Sequence, residues 1–338
     1  MRNLDPRLYV DPAVLPRERA AIFARTWQLL GPAAQVAAPG QHVAADLAGL
    51  KVFAIRGRDG ALRAYRNVCP HRGAQLLDDG PGQCGGLIRC PYHQWAFADD
   101  GRLLNAPWFG TEPGFDPADW PLVPIRAEIW RGLLFVAVDP AEGLLDQLGE
   151  LPGELADEPI ESYTAMAGGR VEFEANWKIY TDNFVEGYHI PGIHPAFHAA
   201  IDFESFSTTA HRGYVRMTAP PRPGLFYRGK WLWMWPNWTL SLFDGGMNTS
   251  RINPLATDRT EQRYHFYFAD TSPEGAEARA GTVARNLDVV REDIAICAGT
   301  HGNYASGNYR AGPLSPRHER GVHYFQHRVA GSLAGDAR

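Results

Sequence analysis

The stretch from Asn67 to Phe97 reads N-V-C-P-H-R-G-A-Q-L, a spacer, and then I-R-C-P-Y-H-Q-W-A-F. It holds two Cys/His pairs, Cys69-x-His71 and Cys90-x2-His93, with 18 residues between His71 and Cys90. Two thiolates and two imidazoles suit a tetrahedral zinc site. They equally suit a [2Fe–2S] cluster in which cysteine binds one iron and histidine the other. The spacing alone leaves both kinds of metal site open.

The residues around these ligands separate the two alternatives. Pro70, Gly73, Pro91 and Trp95 fit two tight loops at hairpin tips, because proline restricts the backbone and glycine permits close turns. A structural zinc site does not need this pattern. C-P-H-R-G followed by C-P-Y-H-x-W resembles the Rieske motif. The resemblance implies a Rieske [2Fe–2S] cluster bound by Cys69, His71, Cys90 and His93.

Length and composition indicate a two-domain globular protein. The chain has 338 residues, of which 45% are hydrophobic and 21% charged, and it carries a net charge of −5. No basic block is present, so nucleic acid is not expected as a partner. No apolar run is long enough for a membrane span. The N-terminus lacks a secretory apolar segment, and the four cysteines suggest no disulfide framework, which together predict a cytoplasmic protein.

The pattern along the chain predicts an α+β fold in three parts. Residues 1–39 read as an N-terminal helical segment packed on the catalytic domain, because apolar residues recur at helical spacing from Ala20 to Leu30. Short strand patterns separated by R-D-G and G-P-G turns predict an all-β Rieske domain over 40–140. Residues 141–338 read as a catalytic domain with a helix-backed antiparallel sheet, including a long helix from Glu274 to about Ala298.

A second group of metal ligands follows the helical pattern I-Y-T-D-N-F-V-E-G-Y-H-I. Two histidines and one carboxylate leave open positions on iron(II) for oxygen and substrate, as in non-haem iron oxygenases. His194 and His198 have the i, i+4 spacing of a regular helix. Pro191 and Gly192 should break the helix, so that His194 could instead lie beside His189. Spacing alone does not choose between these pairs.

The run N-W-K…D-N-F-x-E-x-Y-H-x4-H-P resembles the iron-site signature of the catalytic α subunits of Rieske non-haem iron oxygenases, the ring-hydroxylating superfamily. With the Rieske motif, the resemblance covers both domains in order. It implies His189, His194 and Asp293 as ligands of a mononuclear iron, with the adjacent Glu292 as the alternative carboxylate. Asn183 and Tyr188 flank the ligands and are further candidates for the site.

The family usually has an aspartate three residues before the first histidine. Glu186 occupies that position here, as in the branch that resembles choline and carnitine monooxygenases. The resemblance implies that Glu186 links His189 to the cluster of a neighbouring subunit in a homotrimer, through that subunit's His71 or His93. The alternative for Glu186 is a local salt bridge with Lys178 or Arg170.

Two further features of the sequence each allow a functional and a structural interpretation. Trp231, Trp233 and Trp235 alternate along one predicted strand near Phe226, and they could form an aromatic cage for a quaternary ammonium group or belong to the sheet core. Cys84 is a rival cluster ligand, although a loop thiol is the simpler interpretation.

We therefore predict the oxygenase component of a multicomponent Rieske oxygenase. It would use O2 to hydroxylate a small organic substrate, by a monooxygenation that includes hydroxylation leading to N- or O-demethylation. No Gly-rich dinucleotide motif is present, so an NAD(P)H-dependent reductase is expected as partner, with or without a ferredoxin. The alternatives are an aromatic-ring cis-dihydroxylating dioxygenase and a non-catalytic zinc- or cluster-binding redox protein.

Overall fold

The computed structural model describes residues 1–110, 112–223 and 227–335. The chain forms two compact units. We call Phe23–Ala141 the β unit, and Met1–Ile22 together with Glu142–Arg338 the C-terminal unit. No helix in the described part of the chain is both long and apolar enough to cross a lipid bilayer.

The β unit contains one seven-stranded and one three-stranded antiparallel sheet, with strand orders β1-β10-β9-β4-β3-β2-β5 and β6-β7-β8. The strand patterns of this region are confirmed, because alternating apolar residues such as Phe53 and Ile55 fill the core between short turns. The predicted G-P-G turn is wrong, because Gly80–Gln83 forms a strand that pairs with Gln41–Leu47. The strands are β1 (Gln28–Pro32), β2 (Gln41–Leu47), β3 (Leu50–Arg56), β4 (Leu62–Arg66), β5 (Gly80–Gln83), β6 (Ile88–Arg89), β7 (Ala96–Phe97), β8 (Leu103–Asn105), β9 (Pro124–Trp130) and β10 (Leu133–Ala137).

The N-terminal segment differs from its prediction. The predicted helix ends at Ala21, and the part that was expected to continue it forms β1, which pairs with β10. All five residues of β1 are buried, and a short apolar run buried on every side has no periodicity that separates strand from helix. Residues 23–39 therefore lie in the β unit, whereas our division placed 1–39 with the catalytic domain.

The C-terminal unit is built on a seven-stranded antiparallel sheet of order β11-β17-β16-β15-β14-β13-β12. Its strands are β11 (Thr164–Phe173), β12 (Ser207–His211), β13 (Tyr214–Thr218), β14 (Tyr227–Met234), β15 (Trp238–Phe243), β16 (Gly246–Ala256) and β17 (Arg259–Phe268). Its helices are α1 (Arg7–Val10), α2 (Val14–Ala21), α3 (Leu144–Leu148), α4 (Leu151–Glu154), α5 (Trp177–Phe184), α6 (Ile190–Ile193), α7 (Pro195–Ala199), α8 (Ala276–Ala305) and α9 (Arg320–Ala334). The predicted α+β class is confirmed.

A buried ion pair attaches α2 to α5. The Nζ atom of Lys178 lies 2.6 Å from Oε1 of Glu18, and both side chains are fully buried. The indole N–H of Trp177 donates to the other oxygen of Glu18 at 2.9 Å. Burial lowers the pKa of Lys178, and the Glu18 carboxylate opposes that shift. Removing one partner of such a pair typically costs about 3–5 kcal/mol, so this contact ties the N-terminal helix to the helix that precedes His189 and His194.

Candidate active site

Two loops of the β unit present the four predicted cluster ligands with the same backbone pattern. The N–H of Cys69 donates to the carbonyl of Ala74, and the N–H of Cys90 donates to the carbonyl of Trp95, both at 2.8 Å. Each loop also returns an N–H to the cysteine carbonyl, from Gly73 at 2.9 Å and from Gln94 at 3.1 Å. Both returning residues have positive φ, 73° at Gly73 and 59° at Gln94, so the second loop places a glutamine where the first has glycine.

The ligand side chains fit a metal cluster. Cys69 and Cys90 are each 1% exposed, and the rings of His71 and His93 lie with centroids 4.6 Å apart. The Nδ1 atoms of both histidines are buried and make no hydrogen bond within the described part of the chain. Because buried polar atoms are nearly always satisfied, these two nitrogens are suited to bind a metal.

The thiols support the same conclusion. Burial raises the pKa of Cys69 to about 11, and the neighbouring Cys90 thiol adds to the shift. Such a pair becomes thiolate when a metal's positive charge compensates it. The fourth cysteine has a different contact, because Sγ of Cys84 lies 3.4 Å from Nδ1 of His42. Within the described residues, the Cys84 thiol thus makes its polar contact with His42 and not with the predicted cluster ligands.

The second site lies where α5, α6 and α8 meet in the C-terminal unit. Helix α5 ends at Phe184, and Pro191 and Gly192 lie in the single turn of α6 between His189 and His194. This break brings the two imidazoles together, with ring centroids 5.2 Å apart. The regular i, i+4 alternative is not used, since the ring of His198 packs against Phe203 at 5.4 Å.

Asp293 of α8 completes a group of three side chains that could hold a metal ion. Its Oδ1 atom lies 2.9 Å from Nε2 of His194 and 3.6 Å from Nε2 of His189. One donor atom from each residue lies within 4.8 Å of the others. The amide of Asn183 donates to the same Oδ1 at 2.7 Å and so holds the carboxylate in place.

Two more carboxylates contact the opposite edges of the imidazoles. Glu186 Oε1 lies 2.5 Å from Nδ1 of His189, and Glu292 Oε2 lies 2.5 Å from Nδ1 of His194. Carboxylates in this position fix the tautomer of a metal-binding histidine, so that each Nε2 is free to bind. Burial lowers the pKa of His194, but Asp293 and Glu292 raise it by more, and the net shift is upward. This concentration of negative charge suits a divalent cation.

The geometry distinguishes the two candidate carboxylates of α8. Asp293 faces both Nε2 atoms, whereas Glu292 contacts only the outer edge of His194 and its side chain is 47% exposed. The salt-bridge alternative for Glu186 finds no support, since Lys178 pairs with Glu18, and Arg170 lies near Glu172 and Glu261.

A cavity of about 80 Å³ opens beside the three metal-binding side chains. Phe197, Tyr227 and Trp231 form an aromatic wall, in which the Trp231 ring lies 5.3 Å from that of Phe197 and 5.5 Å from that of Tyr227.

The two further candidates for the site differ in position. Asn183 lines the cavity, but Tyr188 does not, because its ring is stacked on His318 and its side chain is largely exposed. Only the backbone N–H of Tyr188 reaches the site, where it donates to Glu186.

Of the two alternatives for the tryptophans, the sheet core describes Trp233 and Trp235, which are both buried. Trp233 packs on Phe325 of α9, and Trp235 lies under the guanidinium of Arg328. Alternation puts Trp231 and Trp233 on one face of β14, whereas Trp235 follows the end of that strand at Met234, and of the three Trp231 alone lines the cavity. Phe226, the other aromatic residue singled out, lies outside the described residues.

Sequence reasoning missed several polar residues of the cavity, among them Asn248 on β16 and Asn286 on α8. They lie on elements far apart in sequence, and each is a lone asparagine in an otherwise ordinary strand or helix. No local signal could have identified them.

Two family models match the chain, one in the region of each candidate site. The Rieske [2Fe–2S] domain family matches residues 26–116, and the catalytic domain of the ring-hydroxylating α subunit matches 160–224 and 202–335. The chain is 30% identical to the carnitine monooxygenase oxygenase subunit of Escherichia coli over 91% of this chain and 86% of that protein. The chain belongs to the Rieske non-haem iron oxygenases.

Two further relatives extend the comparison. Choline monooxygenase of Spinacia oleracea is 27% identical, covering 94% of this chain and 75% of that protein. The crystal structure of the quaternary ammonium Rieske monooxygenase CntA in complex with L-carnitine superposes with a TM-score of 0.88. It is 28% identical and covers 98% of this chain and 96% of that one.

Membership in this family identifies the cofactors as a Rieske [2Fe–2S] cluster and a mononuclear iron. The protein is an oxidoreductase, the oxygenase component of a multicomponent system that needs O2 and a reductase, and it catalyses O2-dependent monooxygenation. The non-catalytic alternative is thereby excluded. His71 and His93, with their unpartnered nitrogens, and the pair Cys69 and Cys90 fit the cluster; His189, His194 and Asp293 fit the iron.

The two adjacent carboxylates of α8 can be tested against each other. We expect Asp293→Ala to lose iron(II) because it removes a direct ligand, and Glu292→Gln to retain iron affinity to within about tenfold, because the amide oxygen still accepts from His194. Iron retained after loading and desalting measures both, with the absorbance of the cluster as the control for folding. The assignment is contradicted if Glu292→Gln loses the iron and Asp293→Ala keeps it.

Proposed function

We propose that the substrate is a small quaternary ammonium compound and that one oxygen atom is inserted into one of its C–H bonds. The observation that carries this proposal is the aromatic wall of Phe197, Tyr227 and Trp231 beside the carboxylates Glu186 and Asp293. A quaternary ammonium group is attracted to the faces of aromatic rings and to negative charge, but it needs no hydrogen bond.

The relatives support the same substrate class. Two of them are named as carnitine and choline monooxygenases, and a third as a quaternary ammonium monooxygenase. Since all three are monooxygenases, they also favour insertion of one oxygen atom over the alternative, cis-dihydroxylation of an aromatic ring. Hydroxylation of a carbon bound to nitrogen would lead to N-demethylation or to cleavage of the C–N bond.

The overall reaction consumes R–H, O2, two electrons and two protons, and yields R–OH and water. When bound, the iron activates dioxygen with electrons supplied through the cluster. The protein positions the side chains that would bind the metal. His189, His194 and Asp293 would bind the metal on one face, and Asn183 orients the carboxylate of Asp293.

The second part of the proposal is the route of the electrons. Oε1 of Glu186 contacts Nδ1 of His189. Its other carboxylate oxygen, Oε2, accepts hydrogen bonds from the backbone N–H groups of Tyr188 and His189, and these contacts fix the position of the carboxylate. We infer a homotrimer in which Glu186 meets the partner subunit's His71 or His93. The electrons would come from an NAD(P)H-dependent reductase, with or without a ferredoxin. The free cysteines are consistent with the cytoplasm as the proposed compartment.

The substrate class is tested with holoenzyme, a surrogate reductase and NADH. We expect choline or L-carnitine to stimulate O2 uptake at least about tenfold and to yield a product with one added oxygen atom, measured by mass spectrometry. Trp231→Leu should raise KM, because it removes a face of the aromatic wall. Conversion of naphthalene to a cis-diol, with no reaction of any ammonium compound, would contradict the proposal and restore the dioxygenase alternative.

The role of Glu186 is tested by Glu186→Gln in a single-turnover experiment. The amide retains a hydrogen-bond acceptor for His189, so iron should stay bound, but it loses the charge that couples the two centres. We expect reoxidation of the reduced cluster by O2, with substrate present, to slow by at least about a hundredfold, with the potential of the cluster unchanged. Glu292→Gln, which alters the equivalent carboxylate on the other histidine, is the matched control. Equal slowing in both variants would argue against an electron bridge.

A further inference from the structure

The turn that carries Glu186 contains a glycine with an aromatic ring directly against its backbone. A Cβ atom built on Gly187 would lie 2.3 Å from Cζ of Phe206, so a side chain at this position would overlap the ring. Gly187 does not have a positive φ, and what the position requires is therefore the absence of a side chain. Phe206 is 9% exposed and also lines the cavity. One ring thus contacts both the cavity and the backbone that follows Glu186.

The same turn is held on its exposed side by stacked rings. The ring of Tyr188 is stacked on that of His318, with centroids 5.1 Å apart, and His318 is stacked on Phe203 at 6.0 Å. The ring of Phe203 lies 6.0 Å from that of Phe206. The turn over residues 186–189 therefore lies between Phe206 and a row of rings that leads back to Phe206.

The backbone that presents Phe206 is tied to its surroundings. Phe203–Ser205 form a short 3₁₀ helix, and the N–H of Phe206 donates to the carbonyl of Phe203 at 3.0 Å. The N–H of Asp202 donates to the carbonyl of Pro220 at 2.9 Å. Because the backbone is fixed on both counts, the ring of Phe206 responds to its surroundings mainly by moving between the cavity and Gly187.

The cavity gives a ligand direct access to this ring. Its volume is about 80 Å³, and Phe206 lines it together with Glu186 and His189. A ligand bound beside the metal-binding side chains therefore also lies beside Phe206. Such a ligand takes up the free volume on one side of the ring, and close-packed interiors transmit contacts of this kind to the next group, here Gly187.

We propose that Phe206 is a positioning residue for Glu186: a substrate in the cavity holds the ring against Gly187 and so fixes the turn that carries the carboxylate. This inference rests on the proposed function and names the residue through which substrate acts on the electron bridge. Oε2 of Glu186 accepts from the backbone N–H groups of Tyr188 and His189, so the carboxylate and the turn move together. A fixed turn therefore keeps Oε1 of Glu186 on Nδ1 of His189.

Hydrogen exchange measures the proposed effect on the turn, because the backbone N–H groups of Tyr188 and His189 both donate to Glu186. In holoenzyme we expect saturating choline or L-carnitine to slow their exchange at least about fivefold, and Phe206→Leu to lose most of that protection. Phe268→Leu is the matched control, since Phe268 is a buried phenylalanine of the same unit and is not among the described residues that line the cavity. It should keep the protection.

A single turnover measures the consequence for the reaction. In the unmodified holoenzyme we expect substrate to accelerate reoxidation of the reduced cluster by O2 at least about tenfold, and Phe206→Leu to reduce that acceleration to about twofold or less. The variant should retain its iron and bind the substrate with a Kd within about threefold of the original, measured by titration calorimetry. This separation of binding from turnover distinguishes a positioning residue from one that only binds substrate.

Gly187→Ala tests the same contact from its other side. Because the added methyl group overlaps the ring of Phe206, we expect reoxidation with saturating substrate to slow at least about tenfold. The double variant Gly187→Ala/Phe206→Leu should be no slower than the slower single variant, since both changes break one contact. Effects that multiply in the double variant would mean that the two residues act independently, which contradicts the inference.

The outcomes separate this inference from the proposed function. If Phe206→Leu keeps the original protection of the turn or the original acceleration by substrate, Phe206 does not position Glu186, while the quaternary ammonium proposal stands. If Glu186→Gln reoxidises its cluster at the normal rate, the proposed electron route fails, and with it the role of Phe206. If neither ammonium compound binds to the unmodified holoenzyme or protects the turn, the substrate class and this inference fail together.

Discussion

The catalytic half of this protein depends on two imidazoles that are each held between carboxylates on both edges. Asp293 faces the Nε2 atoms of His189 and His194, and Glu186 and Glu292 contact their Nδ1 atoms. Because each outer carboxylate fixes the tautomer, the inner nitrogens are left available to a metal without further rearrangement. The helices of the C-terminal unit bring these five side chains together.

Two structural elements achieve this. The proline and glycine in α6 interrupt the helical path, so that His194 turns back beside His189. Helix α8, from Ala276 to Ala305, then places two consecutive carboxylates on different edges of the same pair of rings. The helix before the break, α5, is anchored to the N-terminal α2 by the buried contact of Lys178 with Glu18. The N-terminal segment therefore contributes to the packing of the helix that precedes the candidate ligands.

The grouping of the candidate metal ligands was more predictable from sequence than the lining of the cavity. Cys69, His71, Cys90 and His93 lie in two short loops, and the local motif carries almost all of their geometry. His189 and His194 are also local, but the choice between Asp293 and Glu292 depends on the rotation of a helix packed from far along the chain. Of the aromatic stripe, Trp231 lines the cavity whereas Trp233 and Trp235 belong to the core, and the sequence left these alternatives open because strand alternation gives the face of a sheet and not what packs on it. Strand β1 was missed for a related reason, since its pairing with β10 is a tertiary contact.

The central claim is that one chain carries both a Rieske cluster and a mononuclear iron. Anaerobically purified protein tests it directly, by iron and acid-labile sulfide analysis combined with an EPR spectrum of the reduced state. The account predicts about three irons and about two sulfides per chain, with a Rieske-type signal. About two irons, not increased by added iron(II), would contradict the mononuclear site. A colourless protein that contains zinc would contradict the assignment of both centres.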